Sequence, residues 1–216
     1  MSPELHTAHD PRVARDALTC ERRQSGTSGL RSRALLIGAL GWALSGAPVA
    51  AQTADGIQVQ DAPFGPFGRS VTATMYVEAP PKAVFGVLTD YDHLAEFMPL
   101  VNAAKTLETS PKGATVLFKV RYMRFFEIEE VDVRTHEPYS RITWQAIKGP
   151  LKVSNGSWVL KPQGKGTHLT YQTDVDPGMP VPSALTGMLL KQGLPEFLTG
   201  IKRRAESGGT WKKPGN

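Results

Sequence analysis

From about residue 70 the chain alternates apolar and polar side chains. Val71, Ala73, Met75 and Val77 interleave with Thr72, Thr74, Tyr76 and Glu78, the period-two pattern of a half-buried strand. Pro80-Pro81 stops the strand, and a proline fits the first turn of a helix because its missing N–H has no partner there. Val84, Phe85, Val87, Leu88, Tyr91, Leu94 and Phe97 then recur at helical spacing. An interruption at Asp90-Tyr91-Asp92 and a stop at Pro99 predict two short helices. Six strand-like runs follow, over residues 101–108, 115–124, 127–136, 141–148, 154–161 and 167–176. Turn residues such as Ser110-Pro111-Lys112-Gly113 and Pro162-Gln163-Gly164-Lys165-Gly166 separate them.

A meander joined by short turns is antiparallel, and an antiparallel sheet with one apolar face needs a cover. The expected cover is a helix over residues 182–205. Leu185, Met188 and Leu189 form one apolar stripe on it. Leu194, Phe197, Leu198 and Ile201 form a second, rotated stripe. Pro195 between them removes one helical N–H and crowds the carbonyl of Lys191, which predicts a kink or break. Gly187, Gly193 and Gly200 read as further loose points. The segment before Pro195, approached through residues 179–182, is a candidate lid. The class is therefore α+β, either hollow or with a filled core, and periodicity does not separate the two.

Residues 52–69 are polar and carry Pro63, Gly65, Pro66 and Gly68, which reads as a linker or arm, and residues 207–216 read as a flexible tail. The first 51 residues are different again. Arg31 and Arg33 precede an apolar run of about eleven residues, and Val49-Ala50-Ala51 places small side chains before a cleavage point. This predicts a signal peptide cleaved after Ala51 and a periplasmic or secreted product. Gly38, Gly41, Ser45, Gly46 and Pro48 leave too short an apolar stretch for a membrane span. Residues 1–30 extend the leader beyond the usual length, as a disordered leader or a mis-called start would.

From Gln52 onward the chain has 19 basic and 16 acidic residues, a formal charge of +3. Its basic residues are dispersed and not striped with aromatics, so nucleic acid is not an expected partner. Only Lys202-Arg203-Arg204 and Lys212-Lys213 cluster. They complement a helix C-terminus, or they meet anionic lipid headgroups in a transient membrane-surface contact. Cys20, the sole cysteine, lies in the predicted leader, so the mature chain is expected to use no thiol chemistry.

The order of these elements and several local motifs resemble the START-like (SRPBCC) superfamily, within it the coenzyme Q-binding and polyketide cyclase branch. The segment from Leu88 to Pro99 is similar to that family's short-helix motif. Ser140-Arg141-Ile142 and Gly149-Pro150-Leu151, followed by Trp158, are similar to its paired strands. The resemblance spans residues 70–206. It implies a helix-grip fold, with about seven antiparallel strands curled around a long C-terminal helix and two short helices after the first strand. Between sheet and helix it implies a cavity for a lipid, isoprenoid quinone or polyketide.

Strand parity gives the expected cavity face. Val116, Phe118, Val120 and Tyr122 share one face, as do Val131 and Val133, then Ile142 and Trp144, then Trp158 and Leu160, and finally Leu169 and Tyr171. Phe118, Tyr122, Trp144, Trp158 and Tyr171 on the strands and Leu185, Met188 and Leu189 on the helix are the candidate ligand-binding residues. Four of the aromatics carry a polar atom that can orient an apolar ligand. No catalytic set is recognisable. Glu127 and Glu129 are the only weak acid/base candidates, and a solvated position suits them better than burial. A cyclase or dehydratase reading requires one of them in the cavity. His93, His136 and His168 show no metal-ligand spacing, and no cofactor is expected.

Overall fold

A computed structural model describes residues 51–52, 56–121 and 127–215, which fall in one compact unit. Nine antiparallel strands make one sheet: β1 (Ala51–Gln52), β2 (Gln58–Phe64), β3 (Gly68–Val77), β4 (Val101–Ser110), β5 (Gly113–Arg121), β6 (Glu127–Glu137), β7 (Arg141–Lys148), β8 (Val153–Gln163) and β9 (Gly166–Asp176). Their spatial order is β1-β2-β3-β9-β8-β7-β6-β5-β4. The last six strands form the expected meander. β9 then returns to pair with β3 along its whole length. Helix α1 (Pro81–Thr89), a 3-10 turn (Tyr91–His93) and α2 (Leu94–Phe97) follow β3. The C-terminal helix comprises α3 (Ser183–Met188), a π segment (Leu189–Gly193) and α4 (Leu194–Glu206). This is the helix-grip α+β arrangement.

The core lies between the concave face of the sheet and the helices. Val77, Val84, Phe97, Val116, Ile142 and Ile201 are fully buried there. α1 starts on Pro81 as the sequence predicts. Instead of breaking the helix, Pro195 sits in the first turn of α4. The five residues before it widen to π pitch while Gly193 and Leu194 keep right-handed helical dihedrals. A π segment drops the i→i−4 bond that proline cannot donate, so the helix continues through the site.

The arm expected over residues 52–69 contains β2, which adds to the sheet beside β3. Its sequence is polar because only one residue ahead of it, Ile57, is fully buried, while most of the strand is exposed. The expected flexible tail also folds back. Lys213 N–H donates to the Glu96 carbonyl at 2.9 Å, Arg204 donates to the Trp211 carbonyl at 2.9 Å, and Trp211 packs on the core.

Gly200 is a close-approach residue where the sequence suggested a loose point. A Cβ there would strike the carbonyl oxygen of Phe97, the last residue of α2. Gly200→Ala is expected to destabilise the fold by about 1–3 kcal/mol, although helix propensity alone favours alanine by about 1 kcal/mol. A thermal or urea midpoint that rises in this variant would refute the tight α4–α2 contact.

Candidate functional site

Inward-facing side chains of β3 and β5–β9 and the underside of the C-terminal helix enclose a cavity of about 400 Å³. Its wall is mostly apolar. Trp144, Trp158, Tyr171 and Phe197 form one aromatic cluster, with Trp158 and Tyr171 centroids 4.5 Å apart and Trp144 stacked on Tyr171 at 5.6 Å. Gly156 makes this stack possible. It lies opposite Trp144 in the β7–β8 ladder, and a Cβ there would enter the indole ring. Burial pushes the Tyr171 phenol up to about 12, so it stays a neutral hydrogen-bonding group.

One polar patch interrupts this wall. Glu130, Asp132 and Arg134 alternate along β6 and all face inward. Asp132 has 3 % of its side chain exposed and accepts a hydrogen bond from Arg134 Nη2 at 2.7 Å. Three rings surround the Arg134 guanidinium: Phe118 at 4.4 Å, Trp144 at 5.2 Å and Tyr91 at 5.4 Å. Such a cage holds a planar, weakly hydrated cation where an ammonium would be less well placed. Ser154 Oγ on β8 donates to Glu130 Oε1 at 2.9 Å. Further along, Tyr91 Oη and His136 Nε2 lie 2.6 Å apart. Burial, aided by Arg134, pulls the His136 imidazole below its ordinary value. Burial raises the Tyr91 phenol, against the opposing charge of Arg134.

The Glu130 carboxyl is strongly perturbed. Loss of water around it, then the neighbouring Asp132 charge, lifts it to about 7 against the pull of Ser154. Among the described residues, Arg69 Nε, Glu130 Oε2, Asp132 Oδ1 and Arg134 Nε are buried without a hydrogen-bond partner. No group of three or more His, Cys, Asp or Glu side chains among them is placed to hold a metal ion.

Of the candidate ligand-binding residues, Phe118, Trp144, Trp158, Tyr171, Leu185 and Leu189 line this cavity. Met188 does not. It is 42 % exposed, on the solvent side of the helix between the lining residues Leu185 and Leu189. Tyr122 lies outside the described residues. The carboxylates singled out from the sequence, Glu127 and Glu129, both point to solvent, where Glu129 meets Lys119 at 3.4 Å and Glu127 meets Asn102. The parity expected for β6 is therefore reversed: Val131 and Val133 face away from the cavity, and Val133 is 42 % exposed. Two signals pointed to the other face. Ile128 shares parity with Glu130, Asp132 and Arg134, and it is buried. Val116 and Phe118 stand directly opposite Asp132 and Glu130 on β5.

The basic cluster near the C-terminus is engaged internally. Lys202 Nζ donates to the Tyr76 carbonyl and to Glu206, both at 2.7 Å, Arg203 stacks on Trp211, and Arg204 pairs with Glu96 at 3.3 Å. Its members therefore act as helix-end and tail anchors.

Comparison with solved structures gives the same fold. A STAR-related lipid transfer protein from Xanthomonas axonopodis superposes with a TM-score of 0.64 at 20% identity, covering 73% of this chain and 97% of that one. The Zhui aromatase/cyclase from Streptomyces sp. R1128 gives 0.56 at 20% identity over 64% and 94%. A START superfamily protein from Mycobacterium smegmatis gives 0.56 at 16% over 64% and 97%. At these identities the likeness is one of fold. A search of the curated proteins found no match. The family model described as polyketide cyclase / dehydrase and lipid transport matches residues 77–202, more than half of the chain, and the chain belongs to that START-like family.

Proposed function

We propose that this protein binds and carries an apolar small molecule, of lipid, isoprenoid quinone or polyketide type, outside the cytoplasm. The observation that carries this reading is the cavity. Its volume of about 400 Å³ is in the range of ligand pockets, and an apolar wall with a few convergent polar groups is how such pockets fix orientation. The lipid transport for which the family is named in part, and the lipid transfer for which the Xanthomonas protein is named, support a carrier. Export rests on the Arg31 and Arg33 flank, the apolar run and Val49-Ala50-Ala51.

Phe67 and Val181 both line the cavity and stand about 40 % exposed, beside the more exposed Met179. Apolar side chains at a cavity mouth favour brief contact with a lipid surface during loading. α3 and the π segment contribute Leu185, Thr186 and Leu189 to the wall. They are the part that opens, because a π segment is held by less regular hydrogen bonds than the α4 that follows.

The experiment is purification from the periplasmic fraction, then native mass spectrometry and solvent extraction. A co-purified apolar molecule is expected, as is displacement of it by Nile red. Absence of any such molecule, with no binding of quinones, fatty alcohols or dyes, refutes the reading. Hydrogen exchange on the same sample is expected to show ligand-dependent protection concentrated in residues 183–194.

A second reading, an enzyme of cyclase or dehydratase type, does not hold through Glu127 or Glu129, which point to solvent, and is favoured by one observation at a different carboxyl. Glu130 sits in the cavity near neutral titration, as a general acid–base group requires. Turnover of a polyketide-like thioester that is lost in Glu130→Gln would support it over simple carriage.

A further inference from the structure

Glu130 and Asp132 leave one carboxylate oxygen each, Oε2 and Oδ1, buried and without a donor. The other oxygen of each is already engaged, by Ser154 and by Arg134. The two residues are alternate positions on one face of β6, and the Asp132 charge bears on Glu130. Two unprotonated carboxylates in such a place repel and waste both acceptors. A single proton removes both faults at once, because it turns one orphan oxygen into a donor for the other.

We infer that Glu130 and Asp132 share one proton in the folded protein, and that this makes the cavity selective for uncharged apolar ligands over carboxylates and other anions. The inference rests on the binding reading above and narrows its substrate class. With one proton in place the patch has one negative charge, on the pair, and one positive charge, on Arg134. Its net charge is zero. An incoming anion then finds no unmatched cation in the interior, and its own charge is buried without compensation.

The groups facing Glu130 from the surrounding elements agree with this. β8 presents the Ser154 hydroxyl, β9 the neutral Tyr171, and β5 the Phe118 ring directly opposite. After β7, Gly149 approaches the Glu130 side chain closely. On β3, Arg69 lines the same cavity with its Nε buried and unpartnered, but its charge is matched through Nη2 by Asp61 of β2. Arg121 on β5 also lines the cavity, but at its solvent-exposed end, where it stands across from Glu127. The helical wall contributes Leu185, Thr186, Leu189, Leu194 and Phe197, none of them charged.

Linkage then couples ligand and proton. A neutral ligand that covers Glu130 removes more water from it and strengthens its hold on the proton, so binding weakens when the pH rises past its titration. If the ligand moves that titration by one further unit, affinity falls about tenfold.

The test compares dodecanol with laurate, the same chain ending in a hydroxyl or a carboxylate, in competition with Nile red at about pH 6 and about pH 8.5. Dodecanol is expected to bind at least about tenfold more tightly than laurate at the lower pH and to lose affinity at the higher one. Glu130→Gln keeps the shape and one N–H donor, so its dodecanol affinity is expected to be independent of pH. The double variant Glu130→Gln with Asp132→Asn leaves Arg134 as an unmatched cation and is expected to turn the preference toward laurate.

Side-chain carboxyl ¹³C titration of the wild-type protein reads the proton directly and needs no variant to fold. One step near neutrality, absent from Glu130→Gln, is expected. If every carboxyl titrates in the ordinary range, the shared proton is overturned. If laurate and dodecanol bind equally, carriage stands and the selectivity is overturned. If neither they nor Nile red bind at either pH, both readings fall.

Discussion

Arg134→Met should destabilise the protein by about 3–5 kcal/mol, seen as a lower urea midpoint with little change in slope. Asp132 is almost completely buried, and Arg134 at 2.7 Å is its hydrogen-bonded counter-charge. Methionine fills much of the same volume and still packs on Phe118 and Trp144. It leaves an anionic carboxyl pair in an apolar wall with no cation beside it. The loss is therefore electrostatic in origin. Neutralising the partners should recover most of it: Glu130→Gln and Asp132→Asn together in the Arg134→Met background are expected to return stability to within about 1–2 kcal/mol of wild type. If the triple variant is as unstable as the single one, the guanidinium is holding the three rings by packing and the charge argument fails. Arg134→Lys should fall between, because an ammonium keeps the charge and loses the planar contact with the rings.

The reverse sign is expected for Glu130→Gln. The Glu130 carboxyl is raised from 4.5 to about 7 on folding, so the folded state binds its proton more tightly than the unfolded chain does. Its contribution to stability is full below the ordinary glutamate range and is lost as the pH climbs through about 7. Glutamine has no such dependence. It can accept from Ser154 and donate to Asp132 with nearly the same shape. At about pH 8.5 the variant should be more stable than wild type by up to about 3 kcal/mol, the difference closing toward about pH 4.5. Urea unfolding at several pH values measures it. A variant less stable than wild type at high pH would show that the ionised carboxylate is well accommodated. His136 acts in the opposite direction. Its lowered imidazole stabilises the fold above its ordinary range, and that contribution is lost as the pH falls.

These two residues also mark where the sequence was hard to read. The meander was legible, because its strands are short alternating runs between turn residues, and observed and expected boundaries for β7 coincide at residues 141–148. The aromatic wall was legible for the same reason: Trp144, Trp158 and Tyr171 fall on the apolar parity of their strands. β6 defeats that rule. It offers Val131 and Val133 on one face and Glu130, Asp132 and Arg134 on the other, and hydrophobicity alone selects the valines. The fold puts the charged face inward because β5 presents Val116 and Phe118 there and register is shared across the ladder. A functional patch breaks the local pattern at the point where it is built.

β2 escaped notice for a different reason. It is mostly exposed, Pro63 is tolerated near a sheet edge, and its pairing with β3 is made by backbone groups that leave no periodic trace in side chains. The tail escaped because its anchors on Glu96, made by Lys212 and by the Lys213 N–H, are contacts across the fold.

The pairing of β3 with β9 has one more consequence, for the order of events during synthesis. Val71 meets Thr173, and every other rung of that ladder closes a loop of similar size, about a hundred residues. Until β9 and α4 have been made, β3 has an open edge and α1 lacks two of the elements it packs against. The chain therefore emerges as an unsealed sheet fragment and completes its core only when nearly all of it is available. Such a delay leaves the chain unpaired along that edge until its last strand is made. It also means that a truncation anywhere before residue 166 removes the strand that closes the sheet, and should yield an aggregation-prone chain in place of a smaller folded one.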